Sequence, residues 1–264
     1  GEEKRSFDEV IADLDRRGRD AGLIIDDAHR LISPMMGGLK EFDEILDVAK
    51  RRSEHCAWVF AFDDILWRFV QRARGAKPLF DDVVFLDPWR EEGIARLLTN
   101  RSVELEVSPS FEHLLEELPA DADEIDRQEA LDRAKTNYYR LIWDYSSGNP
   151  GVALHTWRRC LGTDAKGKYA VRGFHAPEVG ELEDLPDSAV FVLRAILQLE
   201  HALLSDVQKA TMLRPGAVED AVRFGLARGY FQRVDDRYRI TWAWYRPIHR
   251  FLQRRHLLAS GSCA

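Results

Sequence analysis

Hydrophobic positions in the first part of the chain switch between two periods. Phe7, Val10, Ile11 and Leu14 recur at three- and four-residue intervals, the spacing of one helix face, and Gly22 then precedes the short apolar run Leu23-Ile24-Ile25, which closes on Asp26-Asp27. The cycle repeats. Leu39, Phe42, Ile45, Leu46 and Ala49 predict a second helix, and Trp58 to Phe62 predicts a second strand closing on Asp63-Asp64. A third run, Val83-Val84-Phe85-Leu86, ends at Asp87-Pro88. Continuous apolar strands separated by helices predict an α/β fold whose parallel sheet is covered on both faces, with an aspartate at the end of each of three strands.

Beyond Pro88 the strand signal fades. Trp89 to Leu98 and Ser110 to Leu118 read as short helices, the second capped by Ser110. The acidic stretch Asp121 to Asp126 leads into a longer helix with Leu131, Ala134, Tyr138, Leu141, Ile142 and Tyr145 on one face. A breaker cluster, Ser146-Ser147-Gly148-Asn149-Pro150-Gly151, separates it from a helix over Val152 to Cys160. Gly162 to Asp187 is rich in Gly, Pro and charge, with a single strand at Tyr169 to Val171.

The last segment has its own pattern. Val190, Leu193, Ile196 and Leu197 mark one helix; Ser205 caps a second through Val207 and Ala210; Pro215 opens a third carrying Val218, Ala221, Val222 and Leu226. Tyr230 to Val234 and Arg237 to Thr241 then flank Asp235-Asp236 as a hairpin, and a final helix runs from Pro247 to Leu258. Helix, helix, helix, hairpin is the order of a winged helix-turn-helix. The chain therefore divides into an α/β segment over 1–87, an all-helical segment over 88–161, a linker over 162–187 and a winged-helix segment over 188–264.

Composition narrows the class. Of 264 residues, 45% are hydrophobic and 31% charged, which is enough apolar surface for full cores. The longest apolar run, Ala57 to Phe62, is far shorter than the roughly 20 residues of a membrane-crossing helix. The charged start lacks the pattern of a secretory signal, so a cytoplasmic location is expected; opening on Gly1-Glu2 without a methionine reads as a trimmed chain. Cys56, Cys160 and Cys263 are odd in number and far apart, the pattern of reduced thiols, and His55-Cys56 has no second pair at metal-ligand spacing. The net charge of −7 is uneven, −9 over residues 1–180 against +2 over 181–264, so only the C-terminal part is suited to an anionic partner.

Adjacent acids closing a buried strand are what a nucleotide site needs for its metal and its water: one carboxylate holds Mg²⁺ and the next polarises the attacking water. Gly22-Leu23-Ile24-Ile25-Asp26-Asp27-Ala28-His29-Arg30-Leu31 resembles the Walker B segment of AAA+ and STAND P-loop ATPases. The order of helix, strand, helix, strand, strand, helical lid and winged helix follows the same family over nearly the whole chain. The resemblance implies Asp26 as metal ligand and Asp27 as the catalytic, water-polarising acid. It implies a γ-phosphate sensor at Asp63 or Asp64, a departure from the usual hydrogen-bond donor there. It also implies an adenine-side turn at Gly148-Asn149-Pro150, and a phosphate-reaching arginine at Arg158 or Arg159. Each has a plainer alternative: solvated strand ends for the acids, a helix-helix turn for Gly148-Asn149-Pro150, and a solvated basic face for the arginines.

No Gly-x-x-x-x-Gly-Lys-Ser/Thr string occurs; the nearest approach, Arg74-Gly75-Ala76-Lys77-Pro78, has one glycine and a proline in the wrong place. ATP and Mg²⁺ are thus expected in the complete protein, and none bound by this chain alone. The expected function is an ATP-dependent switch of STAND character, acting on a protein partner or on self-association through lid and winged helix. A DNA-linked AAA+ module of the origin-recognition or transposition-helper kind is the first alternative, and a non-catalytic scaffold the second. Glu219 and Asp220 on the third helix and Asp235-Asp236 at the wing tip count against DNA, while Arg223, Arg228, Arg233, Arg237 and Arg239 count for it. Trp242, Trp244 and Tyr245 read as packing for the last helix.

Overall fold

The computed structural model describes residues 6–17, 21–33, 35, 37–75, 78–115, 123–164 and 166–258. It is a mainly helical α/β structure in which the described strands form three two-stranded sheets, and it divides into two compact units. The first unit comprises residues 1–79, 186–239 and 252–264; the second comprises 80–185 and 240–251.

In the first unit, α1 (Phe7–Arg17), β1 (Ala21–Ile25), α2 (Lys40–Arg52), β2 (Cys56–Phe60) and α3 (Asp64–Arg74) follow the periodicity of the sequence. β1 and β2 pair in parallel from Ala21↔Cys56 to Ile25↔Phe60. Parallel neighbours need a long crossover, which α2 supplies. Phe42 of α2 is fully buried and meets Phe60 and Phe62 edge-on, so this helix covers one face of the pair. The other face is open: the cross-strand neighbours Ile24 and Val59 are 72% and 53% exposed.

The expected three-stranded, two-sided sheet is therefore corrected to a two-stranded parallel pair with one covered face. Val83 to Leu86 forms no strand and belongs to the second unit, with Leu86 94% exposed. Apolar composition states only that burial is favourable. A strand also needs a neighbouring ladder for its amides and carbonyls, and no described strand lies beside this run.

The first unit also holds α8 (Asp187–Leu199), α9 (Leu204–Thr211), α10 (Pro215–Ala227), β5 (Phe231–Val234) and most of β6 (Arg237–Ile240). α10 packs on α8, α9 and β5. It approaches the strand through Gly225, where an added Cβ would lie 2.3 Å from the Phe231 ring. β5 and β6 form the expected hairpin, with Asp235 at φ 57° in its turn. Ala202 and Tyr238 exchange both backbone hydrogen bonds, at 2.9 and 2.8 Å, adding a short bridge to the outer side of β6. Ser205 is not a cap: α9 begins at Leu204, and the Asp206 carboxylate accepts from the Leu203 amide at 3.3 Å.

The second unit is built on α4 (Glu91–Glu104), α5 (Glu124–Ser146) and α6 (Pro150–Cys160), which pack on one another. Ile94, Leu98, Phe111, Tyr138, Tyr139, Ile142 and Trp157 form its core. Asp123 and Asp126 make a reciprocal capping box that starts α5. The helix expected over Ser110 to Leu118 is reduced to a 3-10 turn at Glu112–Leu114, where Ser110 Oγ accepts from the Glu112 amide; residues 116–122, including Leu118 and the start of the acidic stretch, lie outside the described residues. In the expected linker, β3 (Leu161–Thr163) and β4 (Tyr169–Val171) pair antiparallel, ahead of the short α7 (Gly180–Glu183).

α11 (Trp242–Arg254) starts well before Pro247, which the sequence placed at its first turn. A proline inside a helix leaves the carbonyl four residues back without its donor. That carbonyl is Ala243's, and the Tyr145 hydroxyl donates to it at 3.2 Å. A side chain from α5 thus makes the interior proline tolerable.

Cys56 and Cys160 are buried free thiols, while Cys263, Gly1 and Glu2 lie outside the described residues, as do Ala76 and Lys77. No described helix is long and apolar enough to cross a membrane. Trp157 is 3% exposed, stacks on Phe111 and donates from Nε1 to Ser102 Oγ at 3.2 Å. Trp157→Ala is expected to destabilise the second unit by about 3–5 kcal/mol, read as a shift of the denaturant midpoint for that unit.

Candidate functional site

The carboxyl edge of the parallel pair carries the acids singled out in the sequence. Asp26 follows the last residue of β1, is exposed, and among the described residues accepts only from the neighbouring Asp27 amide, at 2.9 Å. Asp27 is held at φ 50°, in the left-handed region, and its carboxylate pairs with Arg30 at 3.0 Å. Short polar side chains tolerate this conformation better than others. The ladder continues past β1 because Ala61 N donates to Ile25 O at 2.9 Å and Ala28 N to Ala61 O at 2.8 Å. Both strands therefore deliver their acids to the same edge. From β2, Asp63 caps α3, its Oδ1 accepting from the amides of Ile65 at 2.9 Å and Leu66 at 3.3 Å.

The residue that organises this edge is one the sequence reading passed over as a site residue. His29, only 4% exposed, sits between Asp63 and Glu200. Its Nδ1 accepts from the Asp63 amide at 3.3 Å, and its Nε2 lies 2.9 Å from Glu200 Oε2, with the N–H aimed off the line to that oxygen. Glu200 ends α8 with φ 55° and ψ −55°, and His201 N donates to Leu199 O at 2.6 Å across it. That is a γ-turn of the rare, strained hand. A glutamate held there by its surroundings marks strain stored at a site, of order 1–3 kcal/mol.

Charge explains the protonation of the group. Burial pushes the Asp63 carboxyl up, the Glu200 carboxylate pushes further, and the capping amides and His29 only partly offset them, leaving it at about 6. Burial alone would depress His29, but the bond to Glu200 and the charges of Glu200, Asp63 and Asp27 outweigh it, so its pKa is raised. The bond from His29 holds Glu200 below the usual carboxylate range despite burial.

Asp27, His29 and Glu200 each bring a potential ligand atom within 4.8 Å of the others. They do not suit a metal ion. Because Nδ1 already accepts an amide hydrogen, the imidazole proton must sit on Nε2, the only nitrogen facing the two carboxylates, whereas a ligating nitrogen must be bare. Asp26, exposed and without an ion pair among the described residues, is the carboxylate available to a hard cation such as Mg²⁺.

The remaining site residues of the sequence belong to the second unit. Gly148 lies at φ 74°, its carbonyl accepts from the Trp89 amide at 3.0 Å, and a Cβ there would come within 2.4 Å of the Trp89 carbonyl. Asn149 caps α6, accepting from Val152 N at 3.0 Å, and Pro150 occupies the first helical turn. The turn thus has a full structural reason for each residue. Arg158 and Arg159 are exposed on α6.

Comparisons of the chain with protein-family models, with curated proteins and with solved structures give no match.

His29 had a signal in the sequence, the run Asp26-Asp27-Ala28-His29, but Glu200 had none, since nothing local pairs residues so far apart. Two outcomes are expected. Gly148→Ala should lower stability by about 1–3 kcal/mol, measured by urea unfolding of the second unit. For Asp63, the folded pKa of about 6 exceeds the unfolded value of about 3.9, so folding takes up a proton between them and stability falls as pH rises from 4 to 6. The stabilisation from His29 is likewise complete below its unfolded value of about 6.5 and is lost as pH rises through its higher folded pKa. Asp63→Asn should flatten the slope of unfolding free energy between pH 4 and 6; an unchanged slope would refute the assignment.

Proposed function

We propose that the chain is the part of an AAA+/STAND-type ATP-dependent switch that carries the Walker B strand, the helical lid and a winged helix. One observation carries the proposal: Asp26 and Asp27 stand at the carboxyl edge of a parallel strand pair, next to Asp63 from the neighbouring strand. Open α/β sheets bind their ligands outside that edge. In this reading Asp26 would hold Mg²⁺, which supplies charge neutralisation of the transferred phosphoryl group. Asp27 would orient water once released from Arg30, and Asp63 would sense the nucleotide. α4 to α6 would form the lid. α8 to α10 with the β5–β6 hairpin would be the winged helix.

The sequence contains no phosphate-cradling loop, so ATP binding belongs to the complete protein and this chain by itself is not expected to hydrolyse ATP. The switch element is the contact between His29 and Glu200. His29 is in the turn that follows Asp26-Asp27, and Glu200 ends the first helix of the winged-helix module, so a change at the carboxylates bears directly on a strained contact with that module. The output would be altered association with a protein partner or with a second copy. A groove-reading winged helix is disfavoured because at the hairpin Arg233 donates to the Asp235 carbonyl at 2.8 Å and Arg237 to the His201 carbonyl at 3.0 Å, while on α10 Arg223 pairs with Asp220 at 3.6 Å.

The test is Mg²⁺-dependent ATP turnover by the complete natural protein. Asp26→Asn is expected to lower it by on the order of 100-fold or more, and Glu200→Gln to change nucleotide-dependent association without abolishing turnover. Full turnover in the Asp26 variant, or no ATP binding by the wild-type protein, would remove this reading; the second result would favour a non-catalytic scaffold.

A further inference from the structure

A group of basic side chains in the second unit forms no ion pair among the described residues. α6 presents His155, Arg158 and Arg159, and α11 presents Arg246 and Arg250, each set at three- or four-residue spacing and hence on one face of its helix. The two helices are brought together around Tyr145 of α5. The Arg246 guanidinium lies over the Tyr145 ring, 5.3 Å from its centroid, and the Tyr145 hydroxyl is fixed on the Ala243 carbonyl at 3.2 Å. At the start of both helices Gly151 faces the Trp242 ring, where a Cβ would come within 2.9 Å.

Among the described residues no acid forms an ion pair with Arg158, Arg159, Arg246 or Arg250; the carboxylate that Arg246 senses is Asp144. Arg246 Nε and His155 Nε2 are buried with no hydrogen-bond partner. Burial and the Arg250 charge depress Arg246, and burial with Arg159 and Arg158 depresses His155. Like charges packed together and partly desolvated are unfavourable until an anion joins them.

We propose that this α6–α11 face binds the phosphate backbone of a nucleic acid. Arginine forks match phosphate oxygens in pairs, and the cations here are spread along two helix faces. Arg158, Arg159 and Arg250 are exposed and Arg246 and His155 are half-buried, an open surface that suits successive phosphates of one strand rather than one enclosed anion. Arg233 and Arg237 of the hairpin, occupied by carbonyls, and Arg223 of α10, paired with Asp220, are not part of it. The inference goes beyond the switch proposed above and does not rest on it, because no nucleotide is involved.

The experiment is fluorescence anisotropy of labelled single-stranded and duplex 20-mers with the 264-residue chain, without nucleotide, at 50 and 200 mM salt. Binding that weakens with salt is expected for at least one 20-mer. Arg158→Glu with Arg159→Glu should weaken it about 10-fold or more and lower the salt slope by about 2. Arg250→Glu should act in the same direction, and Arg233→Glu on the hairpin should leave binding unchanged. Circular dichroism melts of each variant establish that the exposed substitutions leave the fold intact. No binding at 50 mM salt, full affinity in the double variant, or loss of affinity in the hairpin variant alone would overturn the proposal. Tripolyphosphate displacing the 20-mer at equal molar phosphate would also overturn it, since that identifies a compact anion pocket.

Discussion

The ion-pair contact of His29 with Glu200 is the constraint on which the first unit's carboxyl edge depends. An imidazole that is 96% buried must find its partners within the protein, since water cannot reach it. Nδ1 accepts from the amide of Asp63, the α3 cap, and Nε2 lies 2.9 Å from a carboxylate brought by the end of α8, with its N–H aimed off the line to that oxygen. Holding that carboxylate in place requires Glu200 to adopt a strained γ-turn, and Ala202, two residues later, is already in the backbone bridge to Tyr238. Strand end, helix cap, helix end and hairpin edge are therefore linked through one side chain. A half-buried pair of this kind contributes little net stability but is costly to break from the Glu200 side, which would leave the buried imidazole without its carboxylate.

The same contact sets the electrostatics of the edge. Asp26, Asp27, Asp63 and Glu200 bring four carboxylates to the ends of two short strands, opposed by Arg30 and His29. Asp63 absorbs much of the imbalance by holding its proton up to about pH 6, because it is the most buried by its capping role and faces Glu200. Asp26, pointing to solvent, is left as the acid free to meet a cation. Two aspartates adjacent in the chain thus have different environments because the chain leaves β1 at Ile25 and Asp27 then turns left-handed.

The second unit is organised by aromatic packing instead. Phe111, Tyr138, Tyr139 and Trp157 meet one another at ring-centroid distances of 5.5–6.3 Å, and this cluster fixes α5 against α6. With α5 fixed, Tyr145 near its end supplies the donor that Pro247 removes from α11 and the ring on which Arg246 lies. Tyr145, whose hydroxyl completes α11, thus sits beside Arg159 of α6 and Arg246 of α11, neither of which has an ion pair among the described residues.

By itself, the sequence determined the local elements, because periodicity and capping are short-range. Both parallel strands, α2, the chain order from α8 to the hairpin, the breaker cluster ahead of α6 and the strand of Tyr169 to Val171 could all be read within windows of a dozen residues. It also determined that Asp26 and Asp27 follow a buried-type strand. Only the tertiary structure decided which apolar runs pair: Val83 to Leu86 has the composition of a strand and no ladder beside it. The start of α11 was hidden for a related reason, since a proline marks a helix opening unless a distant tyrosine repairs its missing bond. The His29–Glu200 contact spans most of the chain's length, and no local pattern encodes such a pairing, because it exists only once α8 ends where β1 ends.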